Sequence, residues 1–191
     1  VGQQLMAAPF IHPQALVETD EIGEDTRIWA FVHVLRGARI GSGCNVCDHC
    51  YIEYGVKIGN HVTVKSGIYI WEGVHIDDHV FLGPNVVFTN DLRPRSKQYV
   101  TSVKTYIKEG ASIGANSTVL AGVTIGKYAM SGIGSVITRD VPDYALVYGN
   151  PAKFKAWIDE EGNKLIQKDK GIWTNKAGTE YIETPNGLAR K

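Results

Sequence analysis

From Ile22 to Phe88 the chain reads IGEDTRIWAFVHVLRGARIGSGCNVCDHCYIEYGVKIGNHVTVKSGIYIWEGVHIDDHVFLGPNVVF, and an aliphatic or aromatic residue returns at every sixth position. The series is Ile22, Ile28, Val34, Ile40, Val46, Ile52, Ile58, Val64, Ile70, Ile76, Leu82, Phe88. The fifth place of each hexapeptide is restricted too: Thr26, Val32, Ala38, Cys44 and Cys50, then only Val or Ile through Val86. An amphipathic helix repeats its apolar stripe near 3.6 residues, and separate hairpins do not keep so even a beat. A period of six fits a parallel β-helix, in which each hexapeptide makes one short strand and a turn and three of them close a triangular coil. Residues 18 apart then form columns, and successive coils stack about 4.7–4.9 Å apart through backbone hydrogen bonds.

Beyond Phe88 the beat stops. It restarts one residue out of phase at Ile107 and continues through Ile113, Val119, Ile125, Ser131 and Ile137, with Ser131 as the one polar leader. The interruption, residues 89–106, contains Arg93, Pro94, Arg95, Lys97 and Lys104. Loops inserted in a rigid scaffold are where function concentrates, and paired arginines suit phosphate oxygens. A tolerated surface insertion with solvated charges is the alternative.

The remaining composition narrows the function classes. The 191 residues carry 20 Lys and Arg against 20 Asp and Glu, so no global field favours nucleic acid or a membrane surface. No apolar run has the roughly 18–20 residues of a membrane span. The opening VGQQLMAAPF lacks a signal peptide's basic start and long apolar stretch, so a cytoplasmic location is expected. Cys44, Cys47, Cys50 and the adjacent His49 resemble a metal site only when read alone. In the repeat, Cys44 and Cys50 point inward on different sides of the triangle and Cys47 points outward, so no metal is expected, and a cytoplasmic location predicts no disulfide. None of the six histidines, at its place in the repeat, stands out as a base. His61 and His79 stack at one corner, His49 takes the equivalent place on another, and His12 lies in the opening coil. His75 lies over Lys57 and Arg39, while His33 forms an outward column with Tyr51 and Tyr69.

Four features together resemble the left-handed β-helix acyltransferases, over roughly residues 11–160. They are the hexapeptide run, FTNDLRPRS (Phe88–Ser96), GASIGANSTVLAGVTIGKYAMSGIGSVITRDVP (Gly110–Pro142) and YGNPAK (Tyr148–Lys153). Within that family the chain resembles the enzymes that N-acetylate a 3-amino group on a UDP- or dTDP-linked hexose for surface polysaccharide. The resemblance implies the left hand of the helix, acetyl-CoA as cosubstrate, a nucleotide-linked amino sugar as partner, and a homotrimer with its sites in grooves between subunits. It also implies that CoA runs along the small-residue coils after Ile107, matching Gly132, Arg139, Pro151 and Lys153, and that the loop projects over a neighbour's groove.

Acetyl transfer to an amine requires a neutral nucleophile, an aligned approach and donors for the developing oxyanion. The polar column Arg36, Tyr54, Glu72, Asn90 is read as one wall of the acceptor groove. Asn90 or Asp91 would position the amine, Glu72 is a further catalytic candidate, and Arg36, Tyr54, Arg93 and Arg95 would bind substrate. A solvated corner column is the bland alternative. The expected architecture is therefore all-β: a left-handed parallel β-helix over 1–148 with a projecting loop at 89–106, then a C-terminal helix and extended tail over 149–191. The helix is placed at 151–160 from Asn150 as N-cap, Pro151 in the first turn and Gly162 as a stop, with Trp173, Tyr181 and Ile182 packing back on the body. Competing readings are an O-acetyltransferase, a zinc carbonic anhydrase and a non-enzymatic solenoid adaptor.

Overall fold

A computed structural model describes residues 7–191; residues 1–6, where the expected domain 1–148 and the segment read for a leader both begin, lie outside it. The hexapeptides form three flat parallel walls. The first runs from Phe10–Ile11 to Ala145–Tyr148, the second from Leu16–Val17 to Val136–Ile137, and the third from Arg39–Ile40 to Thr124–Ile125. The columns fall where the beat places them. Ile22 bridges Ile40, Ile40 pairs with Ile58, and Ile58 with Ile76.

Most strands of the walls are two residues long with the second inward, and in the three-residue strands Val74–Ile76 and Thr105–Ile107 the first and third are inward, so the leading aliphatics and the fifth-place residues fill one continuous core. Nearly every large leader is sealed from solvent, as close packing of stacked layers requires. Ser131 breaks the apolar series because its hydroxyl accepts the Gly114 N–H at 3.0 Å beside Ser117 and Ser135, whose hydroxyls donate to the Gly132 carbonyl. Cys44 and Cys50 are buried and their thiols donate to the Gly59 and Lys65 carbonyls, at 3.1 and 3.2 Å, on different sides of the prism. Cys47 is half-buried and accepts from the Asn45 amide. The three sulfurs are thus turned apart.

From Ile22 to the loop column neighbours are 18 residues apart, and across it 31, as in Ile58 to Ile76 and Ile76 to Ile107, so the loop adds 13 residues to one coil. Thirteen is one more than two hexapeptides, which is the phase slip seen in the sequence. Threonines pin both roots. The Thr89 hydroxyl accepts the Ala121 N–H at 2.9 Å, and the Thr105 hydroxyl accepts the Gly122 N–H at 3.0 Å.

The C-terminal segment corrects the expected helix: among the described residues no α-helix occurs, and Lys153–Trp157 is a strand. It pairs antiparallel with Ala145–Tyr148, whose free edge would otherwise end the first wall. An unpaired edge costs more than the local capping signals at Asn150 and Pro151 offer, so tertiary pairing decides. The other walls are closed differently. Gly149 O and Ala152 N bond the two backbone groups of Val136 on the second wall, and the Asn186 carbonyl accepts the Asp143 N–H at 2.8 Å beside the third. That last contact comes from a four-stranded antiparallel meander, Ile166–Asp169, Ile172–Thr174, Glu180–Thr184 and Gly187–Arg190. Tyr181, Leu188, Leu165 and Tyr144 form its own small core, with Trp173 packed against it. Ile182, expected to pack inward, alternates outward from Tyr181 and is exposed.

Candidate active site

The corner between the second and third walls collects the acceptor column. Val34, Ile52 and Ile70 are in register, so Arg36, Tyr54 and Glu72, two residues further on, stand one above another, and all are exposed. Tyr54 lies flat across the coil above it: a Cβ on Gly37, whose φ is +80°, would stand 2.7 Å from its ring. The Glu72 N–H donates to the Glu53 carboxylate at 2.7 Å, which fixes the corner between those two coils. Asn90 continues the column as the last residue before the loop rises, and it is exposed. Asp91 is half-buried, its carboxylate accepting the Arg93 N–H at 2.7 Å. Arg93 and Arg95 are exposed, and among the described residues neither forms an ion pair; Arg95 donates to the Pro94 carbonyl at 2.8 Å. One chain therefore assembles Arg36, Tyr54, Glu72, Asn90 and Asp91, and leaves the two arginines free on the loop.

Below Asn90 the same corner continues through Ala121 and Gly122 to the exposed Arg139. Ala121 and Gly122 keep the corner between the loop root and Arg139 low, with the Val103 side chain of the loop lying against Gly122. The other cofactor candidates meet at the neighbouring corner, around Tyr148. A Cβ on Gly132 would touch Tyr148, Lys153 pairs with Tyr148, and Pro151 lies in the intervening turn. The Lys155 ammonium stands 4.6 Å over the Tyr148 ring, so an aromatic face with two adjacent cations occupies the end of the prism. The sequence motif YGNPAK points to the turn between Tyr148 and Lys155 but not to their contact, which exists only once the two strands pair.

The histidines are mostly engaged. His33 meets Glu18 at 2.8 Å, His61 stacks on His79 at 5.1 Å, and His49 stacks on Phe31 at 4.9 Å. His75 stacks on Tyr106 at 5.2 Å, and burial together with Lys57 and Lys104 pulls its pKa below the usual imidazole value. The third wall carrying it is basic, with Arg39 and Lys108 partly offset by Glu21 and Asp77.

The description "Bacterial transferase hexapeptide (six repeats)" matches residues 21–53 and 55–90, and "Hexapeptide repeat of succinyl-transferase" matches 105–139. The chain is 65% identical over 157 residues to the dTDP-3-amino-3,6-dideoxy-alpha-D-galactopyranose 3-N-acetyltransferase of Aneurinibacillus thermoaerophilus, covering 82% of each chain. It is 38% identical over 97 residues to the galactoside O-acetyltransferase of Lactococcus lactis, covering 47% of this chain and 46% of that one. Among solved structures, a hexapeptide-repeat acetyltransferase of Vibrio cholerae complexed with acetyl coenzyme A matches with a TM-score of 0.56 and 30% identity, over 64% of this chain and 72% of that one.

Proposed function

We propose, since the chain belongs to the hexapeptide-repeat acyltransferases and within them to the branch that N-acetylates nucleotide-linked 3-amino sugars, that it acetylates the C3 amine of a dTDP-linked 3-amino-3,6-dideoxyhexose. The enzyme is an acetyl-CoA-dependent sugar N-acetyltransferase. The observation that carries the acceptor is the 65% identity to the dTDP-sugar enzyme across 82% of both chains. A match to an O-acetyltransferase over less than half the chain supports the shared scaffold rather than a hydroxyl acceptor.

In the reaction the amine nitrogen forms a bond to the thioester carbonyl carbon, the carbon–sulfur bond breaks, and the amine proton leaves with the thiolate or to solvent. Acetyl-CoA supplies the activated acyl group and a good leaving group. The chain's task is orientation, worth several powers of ten when reacting atoms are held in line. Asn90 offers a carbonyl acceptor and an amide donor at the root of the loop, and the Asp91 and Glu72 carboxylates are further acceptors for the hydrogens of the acceptor amine. Arg36, Arg93 and Arg95 meet the acceptor's diphosphate, Tyr54 offers a flat face to it, and Gly132, Arg139, Pro151 and Lys153 hold the cosubstrate. No histidine stands in the corner column of Arg36, Tyr54, Glu72 and Asn90, so proton loss to the departing thiolate is the simpler route.

We further infer a cytoplasmic homotrimer, consistent with the absence of enclosure around the corner column in one chain, and a place in the supply of amino sugars to surface polysaccharide. The test is turnover: purified protein with acetyl-CoA and dTDP-3-amino-3,6-dideoxy-D-galactose should release thiol and yield a product heavier by one acetyl group. Turnover on free galactosides alone, with none on any nucleotide 3-amino sugar, would overturn this reading.

A further inference from the structure

Along the second wall the coils are joined by regular rungs. Leu35 N donates to Ile52 O and Glu53 N to Ile70 O, both at 2.9 Å; past the loop, Thr89 N donates to Val119 O at 3.1 Å. Between the coil of Tyr69 and the coil of Val87 the ladder is broken. Tyr69 and Val87 remain in register, but the pairing does not continue to Ile70 and Phe88, and no Trp71 N–H to Phe88 carbonyl bond forms. The Phe88 carbonyl is taken instead by the indole Nε1 of Trp71 at 2.9 Å. A side chain thus replaces a backbone rung at the step directly above the loop, two residues before Asn90.

The replacement changes what holds Asn90. Elsewhere the distance between coils is set by a backbone N–H, and here it is set by a ring that spans the gap and packs on Tyr51 and Tyr69, at 5.7 and 5.9 Å. Trp71 is itself half-buried against the core. From the other side, the Thr89 hydroxyl ties the same root to Ala121. Phe88–Asn90 is therefore clamped from above by an indole and from below by a threonine, while Glu53 fixes Glu72 one coil higher.

We propose that Trp71 is a positioning residue of the acetyl-transfer site: its indole N–H sets the height of Asn90 relative to Glu72, and so the alignment of the acceptor amine. The proposal rests on the reading of Asn90 as the residue that orients the amine. The experiment compares wild type, Trp71→Phe, Asn90→Ala and the double variant in the full enzyme, with kcat, KM for acetyl-CoA and Tm. Replacing Trp71 by benzothienylalanine, which keeps the shape and puts sulfur where the N–H was, serves as a second variant should the phenylalanine lower Tm. The expected result is a fall in kcat of about ten- to a hundredfold, the scale of a slight misalignment, with KM for acetyl-CoA and Tm held and the double variant no slower than Asn90→Ala alone. Unchanged kcat in both Trp71 variants, or losses that multiply in the double variant, would overturn the proposal while leaving the site reading intact. Wild-type turnover in Asn90→Ala would remove both.

Discussion

A single inward residue in this fold is held by the coils above and below, so its chemistry follows from its place in the six-residue beat. Burial pushes the Cys50 thiol up to about 11 and raises Cys44 and Cys47 as well, but Cys47 is half-buried where the other two are sealed. N-Ethylmaleimide at neutral pH should therefore label Cys47 in the folded protein and reach the other two only after unfolding, as peptide mass spectrometry will read. Ile70, fully buried, should cost about 2–5 kcal/mol when cut to Ala, measured by urea unfolding. At the corner the expectation reverses. Asn90→Ala should leave Tm in place, because the side chain is exposed, and lower kcat by about a hundredfold through lost alignment. The sequence made these assignments readable, since arithmetic on six and eighteen fixes which way each residue faces. It could not reveal the indole of Trp71 as a rung, because periodicity gives the direction of a side chain and not the bond at its tip.

Elements of the prism were legible for the same reason, and the elements that cover its end were not. Asn150, Pro151 and Gly162 carry helix punctuation, yet the segment pairs with an edge that exists only once the coils have stacked. The meander is attached through the phenols of Tyr144 and Tyr181, which both donate to Glu160, the first at 3.2 Å and the second at 2.5 Å. Burial first, then Glu160 through its charge and the hydrogen bond it accepts, raises both phenol pKa values well above the ordinary 10. Protonated phenols are thus favoured in the folded state. Their contribution is complete below pH 10 and fades as pH rises beyond it, so the meander should loosen in alkali before the coils do, seen as tyrosinate absorbance accompanied by exchange of the Leu188 amide. A second anchor is Gly187, whose φ of +130° brings its backbone against Asp143; a Cβ there would stand 2.5 Å from the Asp143 carbonyl. Gly187→Ala should weaken docking by about 1–3 kcal/mol, detectable as protease nicking within the tail.

At the scale of the whole molecule, the three walls differ in what they offer to another copy. The third presents Arg39, Lys57, His75, Tyr106 and Thr124 outward and has no exposed large apolar side chain, so it suits solvent or anions. The second presents Leu16, Tyr69 and Val87, each about half exposed, in one outward column. A flat strip of that kind along a rigid prism is left wet in a monomer and is buried if copies pack side by side. The proposed trimer therefore places the second wall between subunits, where the corner column of one chain gains its missing side and the loop arginines can reach across. A charge introduced there should separate the copies. Val87→Glu is expected to give a folded, inactive monomer by light scattering, because the fold of each prism depends on its own coils while the groove depends on two chains. Lys57→Glu on the third wall is expected to leave the assembly unchanged. A trimer that survives Val87→Glu with full activity would move the shared surface to the first wall, where Phe10, Ile11, Phe81, Tyr148 and Phe154 are exposed.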